Sequence, residues 1–404
     1  MNSIPATSPS TASASTASVT TLSNGLTVVS ETGSSTSTIS ITYPNAGSSS
    51  EGPSESGAAL ANKFMSFKSG SGLSSAVILR NLENAGAAPF TNVDKNSATV
   101  GYTASKDQAI RMIPLLATTC DFEKWDVRDA QKYAKAASDD ASSDLITVIS
   151  DSIFAASFGA QSSLGKSLYN STASTVGMQS FRQKNYALNG AVLAATGIDD
   201  HQSFVKAVEE SLSESHVGNA PSPTTPCAFM GSETRIDAPS VGKAYVALAF
   251  NAPKVTPLLN IAQQCIELSA SEGSSVSAYA SSKSGLVGLY ASSTDGSGIT
   301  DELCSIMTSV PSTDIINRAK SLAKTKALLS IDGSDSKSLA GIMTDSVIES
   351  GSFGYAGVAA SYDGVSVDQV QQLFKSLAGS TPALAAVGDL SSVPYHGSLV
   401  SRFS

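Results

Sequence analysis

Histidine residues, the side chains that most often hold a catalytic metal ion, are few and far apart in this chain. The three are His201, His216 and His396, and none has a second histidine or a cysteine three or four residues away. A zinc site needs several imidazole, thiolate or carboxylate donors that the fold can bring to one point. The spacing therefore predicts that none of these histidines binds a metal.

The four cysteines also lack the spacing of a reactive or metal-binding site. Cys120, Cys227, Cys265 and Cys304 are scattered, without a C-x-x-C pair. Three of them fall in apolar stretches typical of helices or strands, which favours buried free thiols. A reducing compartment fits this pattern.

The sequence motifs do not indicate a serine hydrolase or a phosphate-binding loop. The chain contains no G-x-S-x-G segment, so a serine hydrolase is not indicated despite its many serines. The glycine pairs Gly70-Ser71-Gly72 and Gly296-Ser297-Gly298 are not part of a phosphate-binding fingerprint. We interpret both as flexible loops.

The charge and hydrophobicity of the chain argue against a nucleic-acid partner and against a membrane span. The 404 residues carry a net charge of -9, and the sequence pI is near 4.9. No cluster of Lys and Arg is present, which argues against a nucleic-acid partner. No apolar run reaches the roughly 18 residues of a membrane span, so we predict no transmembrane helix and at most a peripheral membrane role.

Segments of the first half recur in the second half in the same order. Strand-like TISITYP precedes a helix that starts near residue 56, and AYVALAFN precedes one that starts near residue 256. SATVGYTAS and GLVGLYASS each lead into a helical stretch, and GAVLAATG returns as PALAAVG. The repetition predicts an α+β fold of two tandem homologous domains, each a mostly antiparallel sheet with helices packed on it.

Composition also suggests where the domains begin and end. Residues 1–21 are rich in Ser, Thr and Ala and are predicted to be a flexible tail or a targeting remnant. We place the first domain at 22–213, a proline-containing linker at 214–240 and the second domain at 241–404. The last strand is expected to lack the helix that follows its first-half counterpart.

The segment GAALANKFMSFK, residues 57–68, resembles the active-site helix of the pitrilysin/processing-peptidase family. That family carries an inverted zinc motif, H-x-x-E-H, on a helix that ends in an aromatic and a basic residue. Aligned on Phe67-Lys68, the five motif positions are occupied as follows: Leu60, Ala61, Asn62, Lys63 and Phe64. Leucine and phenylalanine cannot bind zinc, and Lys63 cannot act as the carboxylate base. The resemblance thus implies an inactive relative with no catalytic, cofactor-binding or metal-binding residue.

Other stretches carry the same resemblance over nearly the whole chain after about Leu22. They are LSNGLTVVSE, AVILRNLENAGAAPFTNVDKNSATVGYTAS and SVSAYASSKSGLVGLYAS. The family's third zinc ligand is a glutamate on a later helix, and the nearest carboxylates here are Asp139 and Asp140. We expect these two to cap or precede a helix that begins near Ser143. The lone Trp125 is expected to anchor the start of a helix by packing, with an interface contact as the alternative.

Within this family the stretches quoted are most similar to the core subunits of respiratory complex III. The resemblance implies a structural subunit on the matrix side of the mitochondrial inner membrane, with no catalysis and no cofactor of its own. The implied partners are a processing-peptidase β-like core subunit (core protein 1), cytochrome b, cytochrome c1 and the iron–sulfur subunit, within a dimeric complex. The alternative is the non-catalytic α subunit of a mitochondrial processing peptidase, which binds presequences. An active zinc peptidase is nearly excluded by the missing ligands.

Overall fold

The computed structural model of the chain describes residues 17–68, 73–116, 122–213, 218, 227–270 and 275–403. Five of the residues discussed above lie outside the described residues, and so does part of the predicted linker. These positions are Cys120, His216, Gly70 and Ser71-Gly72. The Tyr355 side chain is likewise not described.

The first half contains six strands and seven α-helices within its described residues. In chain order they are β1 (Ser18–Thr21), β2 (Thr27–Ser30), β3 (Ser37–Tyr43), α1 (Ala58–Phe64), α2 (Ser75–Asn84), β4 (Ala88–Val93), β5 (Ala98–Ala104), α3 (Lys106–Ala109), α4 (Lys124–Ser143), α5 (Leu145–Phe158), α6 (Thr175–Asn185), β6 (Val192–Ala195) and α7 (His201–Ser211). A 3-10 turn at Ser48–Ser50 precedes α1, and α3 continues as a 3-10 segment, Ile110–Leu116. Pro114 lies in that segment and has no N–H to donate to an α-helical hydrogen bond.

The second half repeats this order with five strands and seven α-helices in the part that the structure describes. They are β7 (Glu233–Asp237), β8 (Ala244–Asn251), α8 (Thr256–Ser269), β9 (Ser277–Ser281), β10 (Leu286–Ser293), α9 (Gly296–Thr308), α10 (Thr313–Asp332), α11 (Ser336–Ser350), α12 (Tyr355–Asp363), α13 (Val367–Ala378), β11 (Ala383–Gly388) and α14 (His396–Val400). A 3-10 turn, Pro239–Val241, joins β7 to β8.

The strand orders of the two sheets prove the duplication. The first sheet runs β1-β2-β6-β3-β5-β4, and the second runs β7-β11-β8-β10-β9. Without β1 the two orders are the same, with β7 as the counterpart of β2 and β11 as that of β6. Only β2–β6 and β7–β11 pair in parallel, and the other pairs are antiparallel. The predicted α+β class with two mostly antiparallel sheets is confirmed.

Each sheet is covered on both faces, and one of the covering helices comes from the other half. The central strands β3 and β11 are buried along their whole length, as expected for strands between two layers. α5 of the first half packs through Ile149 and Ile153 on Ala247 and Ala385 of the second sheet. α11 of the second half packs through Ala340 and Met343 on the first sheet. This exchange ties the halves together.

Four local predictions were wrong. Residues 18–21 of the predicted tail form β1, and residues 233–237 of the predicted linker form β7, because each pairs with a distant strand. Gly296-Ser297-Gly298 is not a flexible loop but the first turn of α9, since the Asp295 carboxylate accepts hydrogen bonds from the Ser297 and Gly298 N–H groups. The last strand does have a following helix, the short α14. The other domain limits stay predictions.

No α-helix among the described residues has the length and apolar character needed to cross a membrane.

Candidate functional site

The helix α1, which corresponds to the inverted-motif segment, is fixed at its N-terminus by a buried carboxylate. Gly57 precedes it with φ 78°, a left-handed conformation that glycine adopts without strain. The N–H groups of Gly57 and Ala59 donate to Glu51 at 2.9 and 2.8 Å. Burial raises the pKa of Glu51, and these two hydrogen bonds oppose that rise. Glu51 is thus a structural cap, which sequence reasoning missed.

Three of the five motif positions point into the core. Leu60 and Ala61 are buried within the first-half hydrophobic cluster. The Asn62 amide donates from Nδ2 to the carbonyl oxygens of Ala58 (2.9 Å) and Met178 (3.1 Å). Its Oδ1 is buried and accepts no hydrogen bond from the described residues. The side chain at the first zinc-ligand position is therefore an aliphatic core residue.

The other two motif positions lie at the half-exposed end of α1. The Lys63 ammonium is 5.7 Å from the centroid of the Phe64 ring. The Phe64 ring in turn lies 5.9 Å from that of Tyr133 on α4. A cation and two aromatic rings thus occupy the place where the base and the second histidine of the family motif would be. Such contacts stabilise by packing and by cation–π attraction.

α4 packs against α1, and the side chain that it places opposite Phe64 is not a carboxylate. The side chain that faces Phe64 is Tyr133, and the neighbouring Ala134 is buried in the same core. Asp139 and Asp140 are exposed in the last turn of α4. They precede the next helix, which begins at Leu145 close to the predicted start, but they do not cap it, because Asp144 is the N-cap of α5. Sequence reasoning did not identify Tyr133 as the residue that faces Phe64.

These residues do not fit a zinc ion. Leu60 and Phe64 offer no donor atom, and Lys63 is a cation. Within the described ranges no group of three or more His, Cys, Asp or Glu side chains could hold a metal ion. The predicted absence of catalytic and metal-binding residues stays a prediction that only metal analysis and assay can test.

The two described histidines make structural hydrogen bonds. His201 begins α7, and its ring nitrogens contact the hydroxyls of Thr20 (2.8 Å) and Ser30 (2.7 Å). Partial burial lowers the pKa of His201, so its neutral form is favoured. His396 Nε2 donates to the carbonyl oxygen of Pro382 at 2.8 Å. Each ring therefore joins a helix to its sheet.

The cysteines differ in their surroundings. Cys265 and Cys304 are buried free thiols, and burial raises the pKa of Cys265 to about 12. Cys227 is half-buried with its sulfur 3.0 Å from the Ser163 hydroxyl. Burial alone would raise the pKa of Cys227, but hydrogen bonds from Ser163 and Leu164 lower it overall. The prediction of buried free thiols is confirmed for Cys265 and Cys304, whereas Cys227 belongs to the segment assigned to the linker, for which no burial was predicted.

Trp125 lies near the start of α4, as predicted, but it does not anchor the helix by packing. Its side chain is 72% exposed, and the Arg128 guanidinium lies 5.5 Å from its ring centroid. The packing interpretation was wrong, because Asp126 and Val127 occupy the buried face of that turn. An exposed tryptophan is typical of interface contacts, which leaves the alternative as a proposal.

Comparison with curated proteins places the chain beside the subunits of one peptidase, although no family model matches it. The chain is 27% identical to the β subunit of the mitochondrial-processing peptidase of Lentinula edodes, over 96% of this chain and 93% of that protein. It is 28% identical to the α subunit from Solanum tuberosum, over 58% of this chain and 47% of that protein. A probable α-2 subunit from Arabidopsis thaliana matches at 28% over 58% of this chain.

Comparison with solved structures identifies the same fold. A chain in the structure of Candida albicans complex III2 with Inz-5 bound superposes with a TM-score of 0.81 and 18% identity. The match covers 96% of this chain and 99% of the Candida chain. The resemblance predicted from the sequence is confirmed in the fold, and the chain is similar in sequence to subunits of the mitochondrial processing peptidase.

Proposed function

We propose that this chain is a non-catalytic structural subunit of respiratory complex III, the core protein 2 type. It would lie peripherally on the matrix side of the mitochondrial inner membrane and support assembly of the complex that passes electrons from ubiquinol to cytochrome c. Its partners would be core protein 1, cytochrome b, cytochrome c1 and the iron–sulfur subunit. Electron transfer would take place on those partners.

One observation carries this proposal: the motif helix keeps its place in the fold while its donor groups are gone. α1 is capped by Glu51 and packed against α4, but Leu60, Lys63 and Phe64 stand at the donor positions. A peptidase without zinc ligands cannot activate water. The same fold occurs over almost the full length of a complex III chain, which supports a role in such an assembly.

A second candidate is the non-catalytic α subunit of a processing peptidase, which would bind presequences for an active partner. The two α subunits that match the chain favour it. They do so over about half of their own lengths. A subunit that takes part in both assemblies would combine the two candidates.

Depletion of the chain in its own organism separates these candidates. We expect assembled complex III to fall on native gels, while cleavage of an imported presequence continues at its normal rate. Re-expression of the wild-type chain in the depleted cells serves as the control and should restore the complex. Loss of presequence cleavage with complex III intact would favour the α-subunit candidate and contradict the proposal.

A further inference from the structure

The two homologous sheets differ at one edge. In the first sheet, β1 pairs antiparallel with the outer edge of β2, in the register Ser18↔Ser30 to Thr21↔Thr27. In the second sheet, β7 is the counterpart of β2 and is the terminal strand. Among the described residues no strand covers its outer edge. The first sheet therefore has a strand, β1, at the edge where the second sheet has none among the described residues.

The backbone of β7 presents hydrogen-bonding groups at that edge. The Ser232 carbonyl accepts from Leu384 N–H at 2.9 Å, and Ala238 N–H donates to the Gly388 carbonyl at 2.8 Å. Backbone groups of successive strand residues point to opposite sides. The N–H and C=O groups of Glu233, Arg235 and Asp237 therefore point away from β11. An extended segment could pair with them, as β1 does with β2.

A cavity of about 370 Å³ lies beside β7, in the place that β1 side chains fill in the first half. Thr234 and Ile236 of β7 line it on one side, and α4 and α5 line it on the other. In the first sheet the helix that corresponds to α5 is α11. Ala17 and Val19, at β1, pack against the hydrophobic cluster that α11 forms with that sheet. The cavity is thus the space that a strand on the β7 edge would reach with alternate side chains.

The lining of this cavity includes hydroxyl and carboxylate side chains, unlike the apolar cluster beneath β1. Ser152 is only 7% exposed, and its hydroxyl makes no hydrogen bond with any described residue. Asp151 Oδ1 binds the Lys95 ammonium at 2.6 Å. Its Oδ2 accepts no hydrogen bond from the described part of the chain. The Ser152 hydroxyl and the Asp151 carboxylate therefore give this side of the cavity polar groups that a bound segment could contact.

We propose that the β7 edge is a strand-addition site that binds an extended segment of a partner polypeptide. Main-chain hydrogen bonds to residues 233, 235 and 237 would give affinity, as in other β-strand additions. Alternate side chains of the segment, of Ser, Thr or Asn type, would enter the cavity and bind the Ser152 hydroxyl and the Asp151 carboxylate. The site is independent of which assembly the chain joins.

A second copy of this chain fits the edge poorly. If two β7 strands paired antiparallel about Arg235, the two arginines would lie opposite each other. Glu233 would then face Asp237 of the other copy. Like charges directly opposite each other destabilise a strand pair. Charge therefore favours a different polypeptide as the occupant.

Amide hydrogen exchange over residues 232–239 tests the proposal on the isolated chain and on the assembly purified through a tag on this chain. We expect the amides at 233, 235 and 237 to exchange about tenfold more slowly, or slower still, in the assembly. The variant Asp237→Pro removes one outward N–H and leaves the bonds to β11 in place. It should abolish protection at 233 and 235 and release one polypeptide, whereas Asp237→Ala should do neither.

Equal exchange in the two states would overturn the proposal, and so would protection that survives Asp237→Pro. Protection that appears in a homodimer of this chain would overturn the choice of occupant. If Asp237→Pro does not fold, Ser138→Phe fills the cavity from α4 instead, and exposed Ala136→Phe is its control. We then expect only Ser138→Phe to remove the protection.

Discussion

At the scale of single residues, the α1 helix packs in the fold without a histidine or a carboxylate at the aligned motif positions. Leu60 is part of the core, and Phe64 packs against Tyr133 with the two rings tilted. Each replacement satisfies packing where the family motif would place a polar donor. Returning one donor would not rebuild a zinc site, because α4 presents Tyr133 and Ala134 to this region.

The purified chain is therefore expected to contain no stoichiometric zinc. The triple variant Leu60→His, Lys63→Glu, Phe64→His should also show no peptidase activity, because the α4 residue opposite position 64 is Tyr133 and not a carboxylate. Elemental analysis and a fluorogenic presequence peptide measure both expectations. About one zinc per wild-type chain would contradict the account of the site.

A substitution at Trp125 is expected to affect the yield of the assembly but not the stability of the isolated chain. Its side chain is 72% exposed, so Trp125→Ala should change the free energy of unfolding of the isolated chain by less than about 0.5 kcal/mol. If Trp125 is an interface contact, the same variant lowers the yield of the purified assembly. Val176→Ala, at 75% exposure on α6, is the control. Loss of stability in the isolated chain with an intact assembly would contradict this role.

At the scale of elements, the junction between α4 and α5 depends on one carboxylate. Asp144 accepts hydrogen bonds from the Thr147 hydroxyl and from the N–H groups of Ile146 and Thr147. These bonds, the Thr147 hydroxyl first, lower the pKa of Asp144. The ionised form is thus favoured in the folded state. Its stabilisation is present above the ordinary Asp pKa and is lost as pH falls through the lowered value.

Asp144→Ala should therefore destabilise the chain at neutral pH, and the difference from wild type should shrink as the pH falls below the ordinary Asp pKa and through the lowered pKa of Asp144. Urea unfolding at several pH values measures this. Asp139→Ala is the matched control, because that carboxylate is exposed at the same corner and caps no helix. A destabilisation by Asp144→Ala that grows in acid would show the opposite sign and refute the capping argument.

Many of the strands could be predicted from the sequence because their local pattern matches their final environment. Strands such as β3 and β11 are continuous apolar segments that the fold buries on both faces, so local pattern and final environment agree. β1 and β7 are short and polar, and they are strands only because β2 and β11 lie beside them. The cap by Glu51 likewise depends on a turn that brings residue 51 under α1.

At the scale of the whole molecule, α5 of the first half packs on the second sheet and α11 of the second half packs on the first sheet. Ile153 of α5 contributes to the core of the second sheet, and Met343 of α11 contributes to that of the first. No periodicity in the sequence could assign a helix to the sheet of the other half, because both helices have the apolar face of any core helix. We expect the two halves to unfold together.

Ile153→Ala and Met343→Ala should each cost about 2–5 kcal/mol, since both side chains are buried. Each variant should raise hydrogen exchange in β3 and in β8 together. Val176→Ala, on the exposed face of α6, should raise it in neither strand. If only the sheet that lost its contact became labile, the halves would be independent units.

The central claim concerns the assembly that this chain joins, and its absorption spectrum gives the most direct test. A tagged chain is purified from mitochondrial membranes of its own organism under mild detergent, and reduced-minus-oxidised spectra of the particle are recorded. The account predicts the haem bands of b-type and c-type cytochromes in a fixed ratio to the tagged chain. A haem-free particle that cleaves presequences would contradict it.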